Sequence, residues 1–343
     1  MKVLIVGGTG LISTALTRQL LERGDDVTLF NRGQTAVRIP PGATTVHGDR
    51  KDFPAFEALV QSGPRYDCVI DMICYRPEEA ASLVRAVRGK TGHLVVCSTV
   101  DVYARPAQRY PIPEDHPLGG VSRYGQDKVA CERLLWAAHE AGEVPVTVLR
   151  PAQTYGEGRD VIHVFGRAAG TWKRLRQGQP VIVHGDGSSL WVACHIDDVA
   201  RAFAGAGANP AAFGRAYNVS GEEVMTWDEY TARAAEGLGA PPPRIVHIPT
   251  DVLARILPRR SRIIVENFRF HNVFDTASAR RDLGFRYTVP FAEGVRRTAA
   301  WLDARGEIAG SDGSPWQDRI VDAWMRLGDG LAAGLEGIEE DAA

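Results

Sequence analysis

"KVLIVGGTGLIS", residues 2–13, runs a short apolar strand pattern directly into a glycine-rich turn and then into the start of a helical pattern. That context gives the glycines a chemical meaning. A helix that starts beyond a tight turn directs its free N–H groups and partial positive charge outward, ready for an anion. Gly7 permits the turn, and Gly10 lets backbone approach a pyrophosphate closely. Where a third glycine would let helix and strand pack tightest, the chain has Ser13, which is small enough to fit. The stretch therefore reads as a phosphate cradle at the edge of a sheet.

Outward from it, "DVTLFN", "ATTVHG", "YDCVID", "HLVVCS" and "VTVLRP" repeat the strand signal, with helical stretches such as residues 11–23 and 124–141 between some of them. Strands alternating with helices imply right-handed crossovers and a parallel sheet covered on both faces. The expected fold class is α/β: a doubly wound parallel Rossmann-type sheet over residues 1–150, followed by a smaller, mostly helical substrate-binding region. That region spans 151–305, is richer in turns such as "GEGRD", "GDGSS" and "APPPR", and has later segments able to join the sheet. Residues 306–315 read as a linker, 317–335 as an amphipathic helix, and "EGIEEDAA" as an acidic end, so that 306–343 forms a peripheral tail.

Composition excludes several function classes. With 343 residues there is ample material for a buried core. Forty basic and 42 acidic side chains leave a net charge of -2, so no global field recruits nucleic acid or an anionic membrane. The apolar runs are too short to cross a bilayer and the N-terminus lacks a signal-peptide layout, which reads as a cytoplasmic protein. Five cysteines, an odd number without C-x-x-C spacing, read as buried reduced thiols, and the histidines lack metal-ligand spacing, so no metal is expected.

The end of the second strand bears on which dinucleotide would bind. An acidic residue there would grip the ribose 2′-hydroxyl of NAD, but the chain has Asn31 and Arg32. A guanidinium without a carboxylate beside it favours NADP(H); Arg32 stacking on adenine, with NAD bound, is the open alternative. "HGDR" ends the third strand at the same edge, where Asp49 could accept from the adenine amino group and Arg50 cover its face, or both could simply form a turn. Farther on, "SRYGQDKVACE" sets Tyr124 four residues before Lys128, hence on one helix face. Spacing alone leaves two readings: a proton-transfer pair or a solvated face.

Taken together, "GGTGLIS", "GDR", "CSTVDVY", "YGQDK", "LRPAQTYGEG" and "HIDDVARAF", in that order, resemble the extended short-chain dehydrogenase/reductases, the NAD-dependent epimerase/dehydratase group that acts mainly on nucleotide sugars. The resemblance runs from Met1 to about Arg305. It implies a catalytic set of Thr99, Tyr124 and Lys128, the threonine lying 25 residues before the tyrosine. It also implies cofactor contacts from Leu11, Ile12, Ile73, Lys128 and Pro151 besides Gly7, Gly10, Asn31, Arg32, Asp49 and Arg50. In such a set the tyrosine exchanges a proton with the reacting hydroxyl, the lysine favours its phenolate and holds the nicotinamide ribose, and the threonine holds the reacting oxygen. Asp101 is then a candidate general acid.

The departures concern the substrate. Where relatives carry a diphosphate-binding arginine, this chain has Trp191, suited to a base or sugar face or to an ordinary core. Ile264 and Val265 stand near the place of a second such arginine, with Arg262 close by. Arg167, Lys173, Arg174 and Arg176 form a basic helix, and Arg174 is carried forward as a phosphate contact, against the plainer reading of a solvated face. Gln153 replaces a common substrate-touching asparagine. The substrate contacts expected are thus Thr99, Tyr124, Gln153, Trp191 and Arg174.

The resemblance implies an NAD(P)-dependent epimerase for a nucleotide-linked sugar or related sugar or nucleoside, acting through a transient ketone. A reductase, dehydrogenase or dehydratase of the same substrate class stays open, the dehydratase weakened by Val100 where an acidic neighbour of Asp101 is common. So does a dinucleotide sensor or RNA-associated protein without catalysis, though no aromatic-interleaved basic patch marks RNA binding. The expected partner is a small-molecule sugar or nucleotide sugar, with no nucleic acid and no membrane, and a homodimer is compatible with the chain.

Overall fold

All six apolar runs of strand length form strands in the computed structural model, which describes residues 1–34, 39–166 and 169–335. They are β1 (Lys2–Val6), β2 (Asp26–Asn31), β3 (Thr44–His47), β4 (Cys68–Asp71), β5 (Leu94–Cys97) and β6 (Val146–Pro151). β4, β5 and β6 are buried at every residue, as a strand must be when helices cover both faces. The sheet has seven strands in the order Arg215–Val219, β6, β5, β4, β1, β2, β3, all parallel.

Strand order reverses between β1 and β4. From β1 the chain moves outward through β2 to β3, then returns to β4 and proceeds the other way. Crossovers on the two sides lie on opposite faces, so a crevice opens at the carboxyl ends of β1 and β4, where ligands bind in sheets of this kind. The glycine turn after β1 sits in that crevice.

Helix α1 (Leu11–Glu22) packs on one face together with Ile196–Ala206. On the other face lie α2 (Phe53–Ser62), α3 (Pro77–Val87) and α4 (Arg123–Glu140). The seventh strand comes from beyond residue 150 and pairs with β6 from Arg215↔Thr147 to Val219↔Pro151. The sheet therefore recruits part of the later region. The remainder joins helices to three two-stranded pairs around an aromatic core that includes Trp172, Trp227, Tyr230, Phe268 and Phe291.

The helix Ala169–Arg176, from which a phosphate contact by Arg174 is expected, fastens the C-terminal segment through its basic residues. Arg174 is buried and pairs with Asp318 while donating to the Pro180 and Gly313 carbonyls. Lys173 donates to the carbonyls of Ala309 and Ser311, and Arg176 pairs with Asp303 at 2.7 Å. Arg167 lies outside the described residues, as do residues 336–343. Helix Trp316–Gly334 follows, seated through Gln317 and Val321. All five cysteines are free and buried. Among the described residues no helix is long and apolar enough to cross a membrane.

Candidate active site

The cradle depends on backbone that side chains would obstruct. Gly7 has φ +88°, and a Cβ there would come within 2.6 Å of Ile73, the residue that follows β4 and Met72. Ser13, in the place of a third glycine, donates its hydroxyl to the Gly7 carbonyl at 2.8 Å and so ties helix to turn. At Gly10 a Cβ would meet nothing closer than that hydroxyl at 3.4 Å, leaving bare backbone toward the crevice. α1 begins with no side-chain cap and no acidic residue in its first turn. Its leading N–H groups are thus free for an anion, and these residues fit the diphosphate of a dinucleotide.

At the end of β2, Asn31 is buried and accepts from the Gly33 N–H at 2.7 Å, while Arg32 is exposed. Asp49 caps a turn by accepting from the Lys51 N–H at 2.9 Å. Arg50 departs from expectation. It is buried, pairs with Asp71 at 3.4 Å, donates to the Glu79 carbonyl at 2.5 Å and lies 4.3 Å from the Phe56 ring centre. Its guanidinium is engaged inside the sheet layer, where it stabilises a buried carboxylate, and is not presented to an adenine face.

Beyond the cradle the crevice widens into a cleft of about 410 Å³ lined by Gly7, Gly10, Leu11, Ile12, Ile73, Thr99, Asp101, Tyr124, Lys128, Pro151, Gln153 and Trp191, among others. Thr99 follows β5 and accepts from the Asp101 N–H at 3.2 Å. Ser122 caps α4 by accepting from the Gly125 N–H at 3.0 Å, which starts the helix just before Tyr124. A Cβ at Gly125 would collide with the Asp101 carbonyl, so glycine is what lets α4 lie against the turn that carries Thr99.

Helical spacing puts Tyr124, Lys128 and Glu132 on one face of α4. Lys128 is buried, and its ammonium donates to the carbonyls of Cys74 at 2.8 Å and Cys97 at 2.7 Å, which pins it at the ends of β4 and β5. It lies 5.9 Å from the Tyr124 ring centre and 4.8 Å from that of Tyr75. Burial raises the Tyr124 phenol well above its ordinary range, helped by Cys97, Asp101 and Tyr75, while a hydrogen bond with Thr99 works the other way. Glu132 is locked to Arg150 at 2.6 Å and anchors the helix to β6.

Asp101 is half-buried in the cleft wall and accepts from the Asn267 amide at 2.6 Å. Burial raises its carboxyl, while the Arg105 charge and that hydrogen bond lower it. Arg105 in turn donates to the Asn272 side chain at 2.7 Å. Trp191 is 5% exposed, packs on Trp227 and Phe268 at ring-centre distances of 5.0 Å each, and still lines the cleft. Core packing and a place in the cleft wall thus coexist in one residue. Arg174 lies outside the cleft, and Arg262, 76% exposed, faces Glu266 at 3.7 Å, also outside it.

The lining residues that the sequence pattern did not point to include Tyr75, Arg159, Asn267, Phe268, Asn272 and Phe274. Tyr75 carries a signal in hindsight, an aromatic just past a strand end at the same sheet edge as the glycine turn. The asparagines carry none, since only tertiary packing brings Asn267 to Asp101 and Asn272 to Arg105. Among the described residues no cluster of metal-ligating side chains occurs.

Comparisons with known proteins agree with this architecture. The profile of the NAD dependent epimerase/dehydratase family matches residues 3–220. The chain is 28% identical over 315 residues to 2'-dehydrokanamycin reductase of Streptomyces kanamyceticus, covering 91% of this chain and 87% of that protein. It is 33% identical over 247 residues to UDP-glucose 4-epimerase of Mycolicibacterium smegmatis, 70% of each chain. Among solved structures, the UDP-glucose 4-epimerase of Thermotoga maritima with UDP-glucose superposes with a TM-score of 0.71 at 22% identity, covering 89% of this chain and 99% of that one.

Proposed function

Since the chain belongs to the NAD-dependent epimerase/dehydratase family, we propose that it is an NAD(P)-dependent epimerase that inverts a carbinol on a nucleotide-linked sugar, or a related sugar or nucleoside, by oxidising it transiently to a ketone and returning the hydride. The observation that carries this is the meeting, in one cleft, of the Gly7–Gly10 cradle with Thr99, Tyr124 and Lys128. When bound, NAD(P) supplies hydride transfer at a substrate carbon. Tyr124 exchanges the proton on the oxygen of that carbon, and Thr99 holds the same oxygen through its hydroxyl. Lys128, fixed by two carbonyls, brings positive charge beside both phenol rings and favours the ionised phenol during proton transfer. Asp101, kept toward its neutral form by burial, is placed to donate to a departing or developing oxygen.

Two features support a substrate that differs from an ordinary nucleotide diphosphosugar. The positions expected for diphosphate arginines hold Trp191 and the Ile264–Val265 pair, and Arg262 does not line the cleft. The far end of the cleft is aromatic and amide-lined, with Trp191, Phe268 and Phe274 beside Gln153, Asn267 and Asn272. The indole N–H of Trp191 and the Asn267 side-chain oxygen are buried without a hydrogen-bond partner. Such a wall suits the face and hydroxyls of a sugar or nucleoside better than a doubly charged bridge. Exposed Arg32 at the end of β2 favours NADP(H). The five buried free thiols support a reducing, cytoplasmic setting.

A reductase is the second reading, favoured by similarity to 2'-dehydrokanamycin reductase: the Tyr124 hydroxyl in the cleft then gives its proton to a ketone oxygen as hydride arrives. Incubating the protein with nucleotide sugars, free sugars and aminosugar ketones, with and without added NAD(P)H, separates the two. Epimer formed at catalytic cofactor supports the first, and stoichiometric consumption of reduced cofactor supports the second. No reaction of either kind across the panel, with cofactor bound, removes both.

A further inference from the structure

Arg159 is exposed and lines the cleft alongside Gly7, Gly10 and Leu11. Among the described residues nothing engages its guanidinium. Among the described residues the other cation lining the cleft, Lys128, is taken by two carbonyls, and the one carboxylate there, Asp101, is taken by Asn267. A charge with no partner at the rim of a cleft is ready to receive an anion.

Its position is built rather than incidental. Gly156 and Arg159 exchange backbone hydrogen bonds at 3.2 and 2.9 Å, closing a tight turn that Gly156 at φ +152° and Gly158 at φ +115° permit. Between them, Glu157 pairs with buried His195 at 3.2 Å and with Arg297 at 2.8 Å. Glu157 also lines, with Leu11 and Thr14, a second cleft beside the first turn of α1. The turn that bears Arg159 is therefore held next to the end of α1 that offers free N–H groups. From there the Arg159 charge also reaches Tyr75, whose phenol it lowers against the effect of burial.

We infer that Arg159 closes the cradle from the wall facing α1, by pairing with the diphosphate of the bound dinucleotide. This rests on reading the cleft as the dinucleotide site. Two phosphates in line with a helix N-terminus carry more negative charge than that partial charge offsets, and a guanidinium fork matches their oxygens. An arginine supplied from beyond β6 would also bind the two halves of the cleft together when cofactor enters, and so retain cofactor between two half-reactions.

Fluorescence titrations of NADH, NADPH, ADP-ribose and adenosine against the parent, Arg159→Ala and Arg159→Lys test this. Arg159→Ala is expected to weaken NADH, NADPH and ADP-ribose by about 10- to 100-fold alike, Arg159→Lys by less, and adenosine by nothing measurable. Unchanged dinucleotide affinity in Arg159→Ala overturns the inference, and so does an equal loss for adenosine, which carries no phosphate. Arg159 is exposed, so melting temperatures should match the parent. Because binding is read without turnover, the proposed reaction can fail while this inference holds, and the reverse.

Discussion

Replacing Glu132 by glutamine would leave a charge stranded where water does not reach. The side chains of Glu132 and Arg150 are 1% and 4% exposed. Arg150 donates to both carboxylate oxygens, at 3.1 and 2.6 Å, and the Ser98 hydroxyl donates to one of them at 2.5 Å. Burial works against the Arg150 charge, and Glu132 more than offsets it, so the guanidinium ends above its ordinary range. Breaking a buried pair from one side costs about 3–5 kcal/mol. With an unfolding entropy of about 2.1 cal/mol/K per residue, that loss lowers the melting midpoint of a chain this long by about 4–7 °C. Replacing both partners together by methionine should recover most of it, since the apolar pair leaves no orphaned charge. Because Glu132 anchors the helix that carries Tyr124 and Lys128, turnover should also fall well below the melting range. Calorimetry on the single and double variants decides: a Glu132→Gln midpoint within about 1 °C of the parent would refute the reasoning.

Tyr124→Phe keeps the ring and removes the hydroxyl proposed for proton transfer, so turnover should drop by about 100-fold or more with cofactor affinity unchanged; near-parent turnover in steady-state kinetics rules out that role. Arg32→Ala should weaken NADPH by about 10- to 100-fold and leave NADH nearly untouched in binding titrations, whereas equal losses point to adenine stacking. Burial holds His93 and His184 down to about 4, below the unfolded value of 6.5. Between those values the unfolded chain takes up protons that the folded chain refuses, so stability is full above about pH 6.5 and is lost as pH falls toward 4. Each histidine should remove about 2 kcal/mol by pH 5, and melts at pH 7.5 and 5 that coincide would contradict this.

The features legible in residue order alone are local. Strand and helix periods, the glycine turn between β1 and α1, the 25-residue interval from Thr99 to Tyr124 and the four-residue step to Lys128 all follow from backbone sterics acting over a few residues, so they could be read in order along the chain. Even Glu132, in the same quoted stretch, could be assigned to the Tyr124 face of α4, though its partner could not. Arg50, Arg174 and Arg159 look alike in sequence, yet the first is engaged by Asp71, the second by Asp318 across 144 residues, and the third by nothing among the described residues. Which later segment supplies the seventh strand, Arg215–Val219, and the meeting of Asn267, Phe268 and Asn272 with the cleft depended on tertiary packing. The reason is physical. The cost of closing a loop grows only slowly with its length, so which distant segments meet is set by the buried surface they share and not by their separation. A side chain's partner, and hence its charge and chemistry, exists only after that packing has occurred.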